Sequence, residues 1–306
     1  MNQYQWPTHG HITSRLIYGC MTLGSAHVAE DRAFAALDAA TEAGITAFDH
    51  ADIYAGGASE TVFGRWLAEH RELREDILIQ SKCGIRPGDP VMYDFSRNHI
   101  VTSVEGILSR LGIEYLDVLL LHRPDPLVEP EEVADAFDYL FRSGKVRSFG
   151  VSNHSPLQIE HLRAVLDHEL VANQLEISLA HPDIITAGTA VNQREPAMVM
   201  RAGEVIDYCR LNSITLQAWG PLAQGKYSGD ETNAPASVVT EIAQRYGVSR
   251  EAIVLGWIMR HPAPILPVIG TTNPARIAAC AEADTVILDR TDWFRLLQAA
   301  RGTGMP

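Results

Sequence analysis

Short β-rich runs and longer amphipathic segments alternate along nearly the whole chain, and this alternation limits the fold more than any other feature. The runs fall at about Leu16–Gly19, Thr46–Phe48, Ile77–Gln80, Val118–Leu121, Ser148–Val151, Val171–Asn173, Thr215–Ala218 and Ile265–Ile269. Between them lie stretches such as "AEDRAFAALDAATEAG" and "NHIVTSVEGILSRLG". In the second, Ile100, Val104, Ile107, Leu108 and Leu111 recur at helical spacing, and Gly112 stops the pattern. "PEEVADAFDYLFRSGKV" repeats the device, with Pro130 near its start and Gly144 at its end. Strands each followed by a helix, eight times over, predict an α/β fold, a (β/α)8 TIM barrel, more readily than an open doubly wound sheet. A chain of 306 residues has the length of two average domains, but barrels of this size are single units. No Ser/Pro linker or shift of composition divides it, so residues 1–306 are expected to form one domain. The longest irregular stretches, Gly84–Asn98 and Gly220–Ala234, both follow strands, where loops of that length usually serve function.

Charge narrows the partners. A net charge of −13 argues against a nucleic-acid or anionic-membrane surface, while leaving room for a local basic pocket. Cys20, Cys83, Cys209 and Cys280 are scattered without a CxxC pair or a histidine cluster, which signals neither a disulfide framework nor a zinc site and fits a reducing cytosol. There is no signal-peptide pattern at the N-terminus and no continuous apolar run long enough to span a bilayer. These features predict a cytoplasmic protein with a small-molecule substrate and no nucleic-acid or membrane partner; they leave the oligomeric state open.

In a (β/α)8 barrel the chemistry sits where strands end and loops begin. The second run stops at Asp49, with Tyr54 five residues on; the third stops at Lys82 and the fourth at His122. The fifth ends in Ser152 and Asn153, the sixth in Gln174, the seventh in Trp219, and the last in Gly270, Thr271 and Thr272. Taken singly, an Asp, Ser or Asn here often only caps a turn or helix, His122 reads as a satisfied rim histidine, and Trp219 reads as core. Lys82 is different: a lysine beside a buried apolar strand must find a partner or lose its charge, and Asp49 on the neighbouring strand is the evident one. Seven polar endings at one rim point to convergent pocket chemistry.

Together these segments resemble the aldo-keto reductases, in particular a bacterial NAD(P)H-dependent oxidoreductase branch. "FDHADIYAGGASE", "ILIQSKCG", "LDVLLLHRPDP", "GKVRSFGVSNHS", "NQLEIS", "WGPLAQGKYS" and "IGTTNPARI" occur in that family's order, from about Leu16 to Asp284. The resemblance implies reduction of aldehyde and ketone carbonyls to alcohols by hydride transfer, with Tyr54 as general acid. A free tyrosine titrates near pH 10, so Lys82 is expected to lower that value, with Asp49 holding Lys82 charged. His122 is expected to donate a hydrogen bond to the substrate carbonyl.

The cofactor implied by the resemblance is NADP(H), since no side chain can supply a hydride. Met21, Thr22, Asp49, Ser152, Asn153 and Gln174 are the expected contacts near the nicotinamide, with Trp219 stacking on its ring. Gly220, Pro221, Leu222, Gln224, Gly225 and Lys226 are expected at the pyrophosphate, and Gly270, Thr271, Thr272 and Arg276 at the adenosine 2′-phosphate. The absence of a GxGxxG after a strand argues against a Rossmann site. Ala279 and Cys280 stand where many members of the family have adenine-contacting polar residues. Arg86 and Arg123 are candidates for a substrate anion, or for pairing with an acid such as Asp125. Three other readings compete: a metal-dependent hydrolase using "HGH" at His9–His11, a Schiff-base aldolase using Lys82, and a nucleotide-binding regulatory subunit built on a reductase-like barrel.

Overall fold

The computed structural model describes residues 1–6, 10–187, 204–229 and 232–304. Two short antiparallel strands open the chain, β1 (Gln3–Gln5) and β2 (Ile12–Ser14). The barrel strands that follow are β3 (Ile17–Gly19), β4 (Ala47–Asp49), β5 (Leu78–Cys83), β8 (Leu116–Leu121), β9 (Val146–Ser152), β10 (Leu170–Glu176), β11 (Thr215–Trp219) and β12 (Ile265–Ile269). They pair in parallel, each with the next, and β12 closes on β3. The fold is thus the predicted (β/α)8 barrel.

The alternation seen in sequence has a packing cause. Strands covered on both faces need apolar residues on both, and β5 and β8 are buried at every position. One set of side chains, including Ile17, Ala47, Leu78, Val118, Leu120, Ala172, Leu266 and Val268, fills the barrel interior. The other set packs under the helices. Room inside is limited: a Cβ on Gly150 would sit 2.7 Å from the Leu120 side chain and 2.8 Å from the Ala172 carbonyl oxygen. The helix signals at Pro130 and Gly112 hold: Pro130 opens Pro130–Arg142, and Gly112 ends Arg97–Leu111. Ser96 caps Arg97–Leu111 by accepting from the His99 N–H, and Gly112 at φ 65° closes it in the left-handed conformation.

Three local features differ from expectation. The β1–β2 hairpin was not predicted; it delivers Trp6 into the interior cluster, with the indole N–H donating to Thr13 Oγ1 at 3.0 Å. His11 lies beside this plug, its ring 3.0 Å from Ser148 Oγ, and His9 is outside the described residues. The expected loop Gly84–Asn98 contains a two-stranded ribbon, β6 (Ile85–Arg86) with β7 (Met92–Tyr93). Finally, Asp49 and Lys82 lie inside their strands rather than just beyond them, because the ladder to the neighbouring strand continues through both residues. Among the described residues no helix is long and apolar enough to cross a membrane.

Candidate active site

Side chains alternate along a strand, so Lys82 on β5 and Asp49 on β4 both point into the barrel near its carboxyl end. Lys82 is completely buried, and each of its ammonium donors has an acceptor: Asp49 Oδ2 at 2.7 Å, the His50 carbonyl at 2.8 Å and the Tyr54 hydroxyl at 2.9 Å. Burial disfavours the ammonium, but the Asp49 charge and the two hydrogen-bonded partners outweigh it, and the lysine is held above its ordinary value. The partnership expected from sequence is therefore present.

Tyr54 departs from one expectation. Burial pushes its phenol up, Lys82 pulls it down, Asp49 pushes it up again, and the net direction is above the ordinary 10.0. Lys82 thus moderates a rise instead of producing a net fall. The phenol is brought to the lysine by a tight turn in which Ala55, Gly56 and Gly57 all have positive φ (50°, 64° and 90°). Glycine is required at the last of these for space as well: a Cβ on Gly57 would lie 2.7 Å from the Arg110 side chain. Arg110 reaches under the turn to Glu60, which is fully buried and also accepts from Ser81 Oγ. Beside them is Asp52, raised to about 7 by burial and by the Glu60 charge. Glu60, Arg110 and Asp52 were not singled out from sequence. A charged residue at an inward helical position, as at Glu60, was the available signal.

His122 follows β8, and its ring stands edge-on to the Tyr54 ring at 6.1 Å between centroids. Burial, with the Lys82 and Arg123 charges, pushes its imidazole down to about 3, so it is neutral throughout the physiological range. Its buried Nδ1 has no hydrogen-bond partner among the described residues. A proton placed on Nε2 leaves Nδ1 as a bare lone pair instead of an orphaned N–H, and makes Nε2 the donor.

The expected nicotinamide-site residues are brought together, chiefly by hydrogen bonds to one another. Ser152 Oγ donates to the Gln174 carbonyl at 2.9 Å, and Asn153 Nδ2 donates to Ser152 Oγ at 2.8 Å and to the His122 carbonyl at 3.2 Å. The Trp219 indole N–H donates to Asn153 Oδ1 at 3.0 Å. Gln174 turns its amide nitrogen inward, to Asp49 Oδ1 and Gln217 Oε1, and its Oε1 has no partner among the described residues. Met21 is exposed, and Thr22 Oγ1 lies 3.5 Å from the Gly270 carbonyl, so the loops after β3 and β12 adjoin.

After β11, Gly220, Ala223, Gln224 and Gly225 take positive φ around a short turn, with Pro221 and Leu222 between them and Lys226 exposed at its end. Such turns present successive backbone N–H groups on one side. After β12, Thr271 Oγ1 accepts from the Asn273 N–H, Thr272 is largely buried, and Arg276 is exposed on the helix Pro274–Ala281. Cys280 on that helix is fully buried and burial pushes its thiol up to about 12, so it belongs to the core.

The two rim arginines separate. Arg86 pairs with Asp94 at 2.8 Å, whereas Asp125 accepts from the backbone N–H groups of Phe95 and Leu127. Arg123 has no carboxylate partner among the described residues and stands over Trp219, 5.7 Å from the ring centroid. Among the described residues no cluster of His, Cys, Asp or Glu has the form of a metal site.

The chain is 36% identical to the uncharacterized oxidoreductase YcsN of Bacillus subtilis, over 96% of each chain. It is 35% identical to the 6-dehydroglucose reductase of Agrobacterium fabrum, over 94% of this chain and 95% of that one. The structure of the glycerol dehydrogenase AKR11B4 from Gluconobacter oxydans has the same fold, with a TM-score of 0.84 at 22% identity over 99% of this chain and 97% of that one. The sequence profile described as the aldo/keto reductase family matches residues 15–300, and the chain belongs to that family.

Proposed function

We propose that this protein reduces aldehyde or ketone carbonyls to alcohols in the cytoplasm with NADPH, Tyr54 donating the proton. The observation that carries this reading is the chain Tyr54 OH–Lys82 Nζ–Asp49 Oδ2, at 2.9 and 2.7 Å, beside a neutral His122. A carbonyl oxygen held between the phenol and His122 Nε2 receives a hydrogen bond from each. As negative charge develops on that oxygen, the Tyr54 proton moves to it, and the buried ammonium stabilises the phenolate left behind. The nicotinamide, when bound, supplies the hydride. Gln174 Oε1 is free to accept from its carboxamide, Trp219 offers a ring face, the turn at Ala223–Gly225 with Lys226 suits the pyrophosphate, and Arg276 suits the 2′-phosphate. The decisive experiment is turnover of an aldehyde and ketone panel with NADPH. A protein that binds NADPH and turns over none of the panel would instead fit a regulatory subunit.

Arg123 supports a substrate with oxygen functions beyond its carbonyl. A guanidinium with five donors and, among the described residues, no acid partner, one residue from His122, suits a hydroxylated or anionic aldehyde. The name 6-dehydroglucose reductase, borne by two similar proteins, implies such a molecule.

The direction of the Tyr54 shift sets the pH dependence. A phenol above its ordinary 10.0 keeps its proton across the neutral range. Carbonyl reduction should therefore be flat through neutral pH and fall only as pH rises through the phenol's own value, while alcohol oxidation should rise over that same alkaline interval. Profiles of kcat/KM in the two directions test this. A reduction limb near neutrality would exclude Tyr54 as its source and implicate Asp52, held at about 7.

The cofactor preference rests on Arg276. Charge-assisted hydrogen bonds contribute about 1.5–3 kcal/mol in protected sites, and solvent screening at an exposed guanidinium brings this to the lower end. Arg276→Ala should raise the Kd for NADPH by roughly tenfold and leave that for NADH nearly unchanged, because only NADPH carries the 2′-phosphate. Fluorescence titration with each cofactor measures both. Equal losses would make the role of Arg276 structural.

A further inference from the structure

Beneath Asp49 lies an amide network drawn from three strands. Gln80 Nε2 donates to Asp49 Oδ1 at 2.6 Å and to Gln217 Oε1 at 2.9 Å. Gln174 Nε2 donates to the same two oxygens at 3.0 and 2.8 Å. Gln217 Nε2 returns a bond to Gln80 Oε1 at 2.8 Å. All three side chains are buried.

Chemistry allows one consistent set of orientations here. A carboxylate only accepts, so Gln80 and Gln174 must both turn their NH2 groups to Asp49. Gln217 must then set its oxygen between them and its nitrogen toward Gln80. Gln80 lies two residues before Lys82 and Gln217 two before Trp219, so both belong to the interior layer just below the site. An apolar layer at that depth would avoid the desolvation of three amides, and every polar atom in such a network has to be matched. The amides therefore call for a reason beyond stability.

We propose that Gln80 and Gln217 are positioning residues for proton transfer. Gln80 donates to Asp49 Oδ1 directly, and Gln217 holds the Gln80 and Gln174 amides that do so; the carboxylate is thereby set with Oδ2 on Lys82 Nζ and the ammonium beside the Tyr54 hydroxyl. The proposal rests on the reading of Tyr54 as proton donor. The titratable groups facing Tyr54 are Lys82 on β5, Asp49 on β4, Cys20 after β3 and His122 after β8. Burial keeps the Cys20 thiol protonated and His122 unprotonated, so Lys82 and Asp49 carry the charge. With the Gln80 donor gone and only Gln174 left on Oδ1, the carboxylate draws the ammonium proton toward itself, the positive charge beside the phenol fades, and the phenol holds its proton more tightly.

The test compares the parent protein with Gln80→Met/Gln217→Met, Gln217→Met and Tyr54→Phe. Methionine keeps the side-chain length, and removing both members of the amide pair together leaves neither orphaned by the other. Three readouts are needed: the pH profile of kcat/KM for oxidation of the alcohol corresponding to the best aldehyde, the Kd for NADPH, and the tyrosinate absorbance step lost on adding Tyr54→Phe to each background. The double variant should move both the oxidation limb and the Tyr54 step upward by about one pH unit, a roughly tenfold loss of rate below the limb, with the NADPH Kd unchanged. Gln217→Met alone should shift both in the same direction by less, and it decides the question if the double variant does not fold. An unshifted limb and an unshifted Tyr54 step overturn the proposal. Full oxidation by Tyr54→Phe would overturn the proton-donor reading itself, a result separate from unshifted glutamine variants beside an inactive Tyr54→Phe.

Discussion

Tyr54→Phe should lower carbonyl reduction by roughly 100- to 10,000-fold, the usual contribution of a positioned general acid. The substitution removes the one transferable proton and leaves the ring in place against His122. NADPH affinity should stay nearly constant, because the Tyr54 hydroxyl is not among the groups assigned to the cofactor, and Asp49 keeps its bonds to Lys82, Gln80 and Gln174. Stability should fall modestly. One Lys82 N–H loses its acceptor while Asp49 and the His50 carbonyl remain, and an unmatched buried donor costs about 1–3 kcal/mol. Single-turnover reduction, NADPH titration and denaturant unfolding separate the three effects. A variant keeping more than half of the parental kcat would remove Tyr54 from the acid role.

How far the sequence discloses this site follows from barrel geometry. Asp49, Lys82 and His122 are legible because each interrupts an apolar run at the depth where strands give way to loops, and the lysine's need for a counter-charge selects its partner. Gln80 and Gln217 are equally inside the barrel and were passed over. A glutamine within a strand carries no charge that demands explanation, and the strands were read as apolar runs. The period of two along a strand was the usable signal, since it places Gln80 on the same face as Lys82 and Gln217 on the same face as Trp219. The Trp6 plug was missed for another reason: its two strands are three residues each and depend on the barrel beneath them, so local pattern alone does not reveal them. At Cys280, matching by position marks a departure from the family's polar residue, and only the turn of its helix shows that the side chain faces the core.

Lys82→Met should damage both the chemistry and the fold, which sets it apart from Tyr54→Phe. The ammonium is fully buried and its partner carboxylate nearly so, and removing one member of a buried pair typically costs about 3–5 kcal/mol. Two amide donors, from Gln80 and Gln174, still serve Asp49 Oδ1, so the loss should fall toward the lower end of that range. Because the folded lysine is held above its ordinary 10.5, its stabilising contribution is fully present below that pH and is lost only as pH rises through the higher folded value. The deficit of the variant should thus be constant from neutral pH up to the alkaline range and shrink beyond it. Activity should fall as well: without the cation, burial raises the phenol unopposed and the phenolate left by proton transfer has no counter-charge. Adding Asp49→Asn to Lys82→Met removes the stranded charge and should recover part of the stability but none of the activity, since the proton relay stays broken. Urea unfolding of the single and double variants, with reduction assays alongside, measures each part. An unchanged unfolding midpoint for Lys82→Met would show that the Asp49–Lys82 pair does not support the fold, and recovered activity in the double variant would show that Tyr54 gives up its proton without the lysine.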